Sequence, residues 1–169
     1  MAVQVVETRQ VAIAHLTRYP GNARRGDVEE IRASIARYGQ YRALVVRDTG
    51  EHLVVLAGNH TRDAMEAEGH TTARCEILRC TDDEALRINL ADNRLAELGS
   101  YDDHDLASLL RGLDGDFEGT GWAESDLATL ATLVTTVDEE TPTEFPEFGD
   151  DIDTEHTCPK CGYEWSGKT

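Results

Sequence analysis

Apolar positions along the chain change their period several times, and each change marks an element. Val11, Ile13 and Leu16 alternate with polar neighbours as a strand does, and Tyr19-Pro20-Gly21-Asn22 ends the run with turn residues. After a loop over Asn22 to Gly26, Val28, Ile31, Ile35 and Tyr38 recur at helical spacing. Asp27 is placed to cap that helix, Glu30 to complete a capping box and Gly39 to stop it. Leu44-Val45-Val46 and His52 to Ala57 are β-branched, apolar runs on either side of Asp48-Thr49-Gly50, which predicts a hairpin of two buried strands. Gly58-Asn59-His60-Thr61 follows directly, then Arg62 to Glu68 with helix-forming composition and Gly69 at its end. Ala73, Cys75 and Ile77 share one face of a further strand over residues 73–79, so Cys75 reads as a small core side chain. Thr81 caps the next helix, in which Ala85, Leu86, Ile88, Asn89 and Leu95 form one amphipathic pattern through Leu98.

The second half is less regular. Asp105 to Leu110 and Ser125 to Val134 predict two small packing helices joined by a glycine-rich link, Gly112 to Gly121. From Asp138 to Glu155 the chain is acidic and aperiodic, with Pro142 and Pro146, and reads as a flexible linker; His156 to Thr169 is a separate short unit. The expected organisation is an α/β core over residues 1–80, a helical extension packed on or beside it over 81–135, an acidic linker over 136–155 and a tail over 156–169. The fold class is α+β, a small mixed sheet with packed helices, followed by short helices and a flexible acidic tail. A length of 169 residues suits one core and an appendage.

Composition adds a compartment and an asymmetry. The N-terminus lacks a basic segment followed by an apolar run, and no stretch approaches the about 18 apolar residues of a membrane span, so a cytoplasmic protein without membrane contact is expected. Four cysteines at irregular spacing are no disulfide framework. Net charge is −17, yet residues 1–80 hold 11 Lys+Arg against 10 Asp+Glu, whereas residues 81–169 hold 5 against 23. A near-neutral front half with an acidic back half predicts a binding module followed by a solvating or partner-facing segment.

A helix that opens at a glycine turn after a buried strand presents unpaired backbone N–H groups and the positive end of its dipole, and glycine lets a ligand approach the chain closely. Gly58 to Thr61 fits that description, though the same junction also serves as a plain connection. The surrounding motifs go further. Asn22-Ala23-Arg24 follows the first strand; Gly39-Gln40-Tyr41-Arg42-Ala43-Leu44-Val45-Val46-Arg47 spans the end of the first helix; Ala57-Gly58-Asn59-His60-Thr61 and Asp92-Asn93-Arg94 come later in the same order. These resemble, over residues 11 to about 100, the N-P-R loop, the G-x-x-Q-P-I-x-V-R run, the A-G-E-R-R box and the E-N-x-x-R helix of the ParB/sulfiredoxin-type N-terminal domains. That resemblance implies a small nucleotide-binding α/β fold, with CTP or another nucleotide and Mg²⁺ as ligand. It implies Arg24, Gly58, Asn59, His60, Thr61, Arg62, Asn93 and Arg94 as the phosphate-binding set, and Asp92 as a magnesium ligand.

The departures bear on function. Asn59, His60 and Thr61 stand where the ParB box has an acid and two arginines, and Arg62 sits one place late. Phosphate is then left to backbone N–H groups, the Thr61 hydroxyl, protonated His60 and Arg24. Sulfiredoxins carry a nucleophilic cysteine where this chain has Asn59, so their activity is not expected. Kinases of the fold need a carboxylate base at the turn; Glu51, Glu66 and Asp92 are of the right type. Asn59 and Thr61 are also natural helix caps, and Asp92-Asn93-Arg94 also suits a solvated helix face. Residues 81–135 offer only Arg87, Arg94 and Arg111 as cations, so no recognition helix is predicted and direct DNA binding should be weak or absent. Ala91 to Leu98, Tyr101-Asp102 and Thr120-Gly121-Trp122 are similar to stand-alone ParB-like proteins of phages and plasmids, often beside DNA methyltransferases. No nuclease constellation is present.

Cys158-Pro159-Lys160-Cys161-Gly162-Tyr163-Glu164-Trp165 has the pattern of a zinc knuckle, with His156 as a candidate third ligand. A second chain, or Cys75 and Cys80 if the linker folds back, is a source of the rest; a half-ribbon without metal is the alternative. Together these features predict a ParB-like nucleotide-binding switch or adaptor in a DNA-related process, partnered by a DNA-modifying enzyme or by itself as a homodimer. The competing readings are an enzyme of the same fold performing phosphoryl transfer or NTP hydrolysis, and a ligand-free interaction protein.

Overall fold

A computed structural model of the chain describes residues 3–140 and 154–166, with side chains over 3–134 and 154–166. The 141–153 portion of the predicted acidic linker lies outside the described residues. Two compact units are present, Met1–Val134 and Thr135–Thr169. The first holds a five-stranded mixed sheet, β1 (Gln4–Ala12), β2 (Leu16–Arg18), β3 (Leu44–Asp48), β4 (Leu53–Ala57) and β5 (Thr72–Arg79), in the order β1-β5-β3-β4-β2. The helices are α1 (Val28–Tyr38), α2 (Asn59–Ala67), α3 (Asp82–Leu98), α4 (Asp103–Arg111) and α5 (Glu124–Glu140). The α+β class with a mixed sheet and packed helices is what the sequence predicts.

Period-2 alternation sorts the strands onto two faces. Leu44 and Val46 of β3, Val55 of β4, and Ala73, Cys75 and Ile77 of β5 point to one side, where Ile35 of α1 and Met65 of α2 cover them. Leu56 and Leu78 point to the other, where Ala85 and Ile88 of α3 cover them. Cys75 is fully buried, and that burial pushes its thiol up to about 11.

The opening alternation does not make one strand. β1 begins at Gln4 and ends at Ala12, a 3-10 turn takes Ile13–His15, and β2 starts at Leu16 on the opposite edge of the sheet. Five strands laid flat would place their edges about 19 Å apart. Three residues of 3-10 helix advance only about 6 Å, so the sheet curls until its two edges face the same turn. The Ile13 N–H donates to Thr71 O (3.0 Å) and ties that turn to the start of β5.

Asp27 caps α1, its carboxylate accepting from Glu29 N (3.1 Å) and Glu30 N (3.3 Å). Thr81 and Glu84 form a full capping box at α3. Only Ala85 and Asn89 of α3 are buried, while Leu86, Leu90, Leu95 and Leu98 are exposed, so the predicted placement of Leu86 and Leu95 on the packed face is corrected. α5 continues to Glu140, six residues past the predicted end at Val134, with Val137 extending its apolar spacing.

Beyond α4 the chain returns to α1. Arg37 pairs with Asp116 through both terminal nitrogens and with Glu118 at 3.3 Å, and the Tyr38 hydroxyl donates to Glu118 O (3.3 Å). A Cβ on Gly119 would lie 3.2 Å from Ser34 Cα, so this loop sits directly on the helix. Tyr101 and Trp122 meet edge to face with centroids 5.6 Å apart. No helix among the described residues is long and apolar enough to cross a membrane.

Candidate functional site

β4 ends at Ala57 and α2 starts at Asn59, leaving Gly58 alone to turn the chain, at φ 90° and ψ 26°. The predicted four-residue turn is thus one residue plus the first turn of a helix, and Gly58 rather than Asn59 or Thr61 holds the cap position. The N–H groups of Asn59, His60 and Thr61 are the first three of α2 and have no acceptor within the helix. They open into a cleft of about 620 Å³ whose walls are the loop Asn22–Asp27, Arg42, and Asp92, Asn93, Leu95 and Ala96 of α3. That volume lies in the range of small-molecule sites. A smaller hollow of about 300 Å³ adjoins it between α1 and Gly119–Gly121, and Glu30, Ile31, Arg42 and Thr61 border both. The larger cleft contains the helix start and therefore the anion chemistry.

The predicted residues divide into three groups. Gly58, Thr61 and Arg24 line the cleft. Thr61 is half-buried at the helix start, and Arg24 reaches α3, where its Nη1 donates to Asn93 O (3.1 Å). Asn93 in turn donates through Nδ2 to Asn22 Oδ1 (3.3 Å), so the loop and α3 are laced together across the cleft.

Asn59 and His60 line the cleft but spend their side chains elsewhere. Asn59 is 3% exposed; its Oδ1 accepts from Tyr19 N (2.9 Å) and its Nδ2 donates to Val55 O (3.1 Å). Only its backbone is left to face a ligand. His60 Nε2 accepts from Gly26 N (3.1 Å). In this arrangement the ring braces the loop, with its Nε2 turned to Gly26.

Arg62 and Arg94 do not line the cleft. Arg62 is folded back on α2, donating to Glu66 at 2.6 and 3.2 Å and to Asp63 at 3.1 Å, and Arg94 pairs with Glu97 at 3.3 Å. Both turn instead to carboxylates three or four residues on along the helix face, Arg62 largely buried in its pair and Arg94 exposed. Of the candidate bases, Glu66 holds Arg62, Glu51 is exposed in the β3–β4 turn, and Asp92 alone lines the cleft.

Arg42 is the cation the sequence did not single out. The antiparallel register places Val45 opposite Ala57, so the residues leading into β3 lie beside the β4–α2 junction. Its side chain is 78% exposed and 3.5 Å from Asp92, a pairing too open to water to hold it firmly. Asp92 faces the same space at 33% side-chain exposure. Nothing in the spacing marks Arg42; only the strand pairing does.

The fold can now be compared. It is similar to the C-terminally truncated chromosome-partitioning protein ParB from Caulobacter crescentus complexed with CTP-γ-S, with a TM-score of 0.55 and 23% identity, over 66% of this chain and 64% of that one. The fold is ParB/sulfiredoxin-like. The match thus spans less than two thirds of that ParB protein. At lower overall similarity, the ParB/sulfiredoxin-like chain aligns with sulfiredoxin from Arabidopsis thaliana (TM-score 0.42, 25% identity, 50% of this chain and 97% of that one). It also aligns with a Pnob8-like ParB-N domain (0.49, 12%, 83% and 51%). No family model matches the sequence, and no curated protein does.

In the second unit, β6 (His156–Thr157) pairs with β7 (Glu164–Trp165), and the cysteines lie in the turn between. Cys158 receives the backbone N–H groups of Lys160 and Cys161, which hold its thiol below the ordinary cysteine value. His156 does not join them. Its ring lies against Trp165, 5.5 Å between centroids, because the two are cross-strand partners, and no group of three metal-ligating side chains exists among the described residues. The three-ligand zinc set is corrected accordingly.

Proposed function

We propose that the cleft at the start of α2 binds a nucleotide or a ligand of the same phosphate chemistry, and that the protein works as a ligand-controlled switch or adaptor in a DNA-related process. The observation that carries this reading is the opening of three unpartnered helix N–H groups, between Arg24 and Arg42, into a cleft large enough for a nucleotide. Asp92 fits a magnesium ion, which typically takes one or two carboxylates together with phosphate oxygens. A triphosphate that drew Arg42 would leave Asp92 free for that ion. The binding of CTP-γ-S by one protein of this fold supports the same site here.

Direct DNA contact is not part of the proposal. Arg87 and Arg94 are the only Lys or Arg residues of α3, few cations for a phosphate backbone among its many carboxylates. A partner protein, or a second copy, is the expected reader of the bound state.

Calorimetric titration with ATP, GTP, CTP and UTP, with and without Mg²⁺, tests the reading. Saturable binding of at least one, strengthened by Mg²⁺, is expected. Absence of binding to all four would overturn it, and phosphate release during the titration would move the assignment to the enzymatic alternative.

A further inference from the structure

The nucleotide reading leaves residues 154–166 without a task, and their geometry is specific. The hairpin His156–Thr157 with Glu164–Trp165 is closed by Cys158 N–H donating to Tyr163 O (2.8 Å) and Gly162 N–H donating to Cys158 O (2.9 Å). Two further N–H groups, of Lys160 and Cys161, point at the Cys158 sulfur, and the two cysteine side chains are close enough to hydrogen-bond. Cys161 is exposed and Cys158 half-buried, so both sulfurs stand at an open corner of the turn. Two sulfurs fixed in this way by backbone are half of a tetrahedral zinc site.

Among the described residues the hairpin has little apolar packing to hold it. Its apolar contacts are a stack of His156, Tyr163 and Trp165, with Tyr163 69% exposed, and an isolated two-stranded hairpin is marginal in water. Units of this size take a metal or a disulfide in place of a core. Zinc needs two more ligands. The other cysteines of the chain are poorly placed to supply them: Cys75 is sealed in the sheet core, and Cys80 packs half-buried beside Leu78 and Ala85, burial raising both thiols. A second hairpin of the same kind supplies two sulfurs at no cost to any core.

We propose that Cys158 and Cys161 of two copies of this chain bind one zinc ion tetrahedrally, making the tail a metal-dependent clasp between two molecules. The inference is independent of the nucleotide cleft. Lys160 lies between the two ligands in sequence, and the positive charge it brings from each copy offsets part of the double negative charge of a zinc tetrathiolate.

The test uses the full chain, purified under reducing conditions and supplied with Zn²⁺. Metal analysis should give one zinc per two chains, and light scattering a mass twice that of the chain. The mass should fall to the single-chain value with a strong chelator and in Cys158→Ser and Cys161→Ser. Co²⁺ in place of zinc should show intense visible bands with thiolate charge transfer. Cys80→Ala should keep both metal and dimer, and Cys158→Ser should leave nucleotide titrations unchanged. One zinc per single chain, no retained zinc, a Cys158–Cys161 disulfide under reducing conditions, or a dimer that survives chelation would each overturn the proposal.

Discussion

Replacing Gly58 by alanine separates the fold's demand on this residue from any ligand's. Two terms act at once. A residue with a Cβ in the left-handed conformation seen here (φ 90°) costs roughly 1–2 kcal/mol. The added Cβ would also lie 2.7 Å from Leu44 Cδ2, and Leu44 is 1% exposed on the central strand β3, so its methyl group must shift, with only a hollow of about 60 Å³ beside the two residues to take it. Overpacking of this kind costs about 1–3 kcal/mol, which brings the expected loss to roughly 2–5 kcal/mol. With a urea m-value of about 2 kcal/mol/M, the unfolding midpoint followed by circular dichroism should fall by about 1–2.5 M at unchanged slope. Gly69→Ala is the control: Gly69 has φ 80° but nothing within 4 Å of its added Cβ, so only the conformational term applies. Adding Leu44→Ala to Gly58→Ala should recover the packing term as a coupling energy. If Gly58→Ala is no more damaging than Gly69→Ala, the close approach of the β4–α2 junction to Leu44 is wrong. Gly58 substitutions are therefore a poor test of ligand binding, since they disturb the core beneath the cleft.

Asn59→Leu should lower stability by about 2–6 kcal/mol, because Tyr19 N and Val55 O lose their bonds to the Asn59 amide in a buried setting, each worth roughly 1–3 kcal/mol; a loss below 1 kcal/mol in urea unfolding would contradict the placement of its amide. In nucleotide titrations Arg42→Ala should weaken binding by about 10-fold or more, the worth of a charge-assisted hydrogen bond, whereas Arg62→Ala should leave affinity within about two-fold, since Glu66 and Asp63 already hold its guanidinium; the reverse pattern would restore Arg62 to the site. Hydrogen exchange in residues 112–121 should respond to acid, because the Arg37 guanidinium holds the Asp116 carboxyl below its ordinary 3.8. A depressed carboxyl stabilises the docked loop fully above its unfolded value and ceases to do so as pH falls through the native one, so protection should be level above pH about 5 and decline below 3.8; Arg37→Ala should remove this dependence.

What could be read in advance follows from how locally each feature is determined. The β3–β4 hairpin, Asp27 as cap of α1 and the buried face of β5 all rest on neighbours in sequence, and the structure has each as expected. β1 escaped notice before Val11 because it is an edge strand, exposed from Gln4 to Gln10 and so without alternation. The break at Ala12 was invisible because Ile13 and Leu16 are both buried in the same core, on either side of a turn that moves the chain across the sheet. In the site, the resemblance pointed to Arg62 and Arg94, which pair here with carboxylates on their own helices. Arg42 needed the pairing of Val45 with Ala57 to become visible.

The same accounting locates the affinity of the cleft. A helix start favours an anion by roughly 0.3–1 kcal/mol, up to about 2 when partly buried, whereas each charge-assisted hydrogen bond contributes about 1.5–3 kcal/mol. Since α2 commits its own arginine to Glu66 and its histidine to Gly26, most of the available attraction belongs to Arg42 and Arg24. Arg24 sits on a loop that carries no regular structure and is held in place by His60 on Gly26 and by Asn93 on Asn22. His60 and Asn93 therefore act on an anion at one remove, by fixing where the Arg24 guanidinium can reach. Under the proposed nucleotide reading, the loop, more than the glycine turn, would decide how tightly phosphate is held.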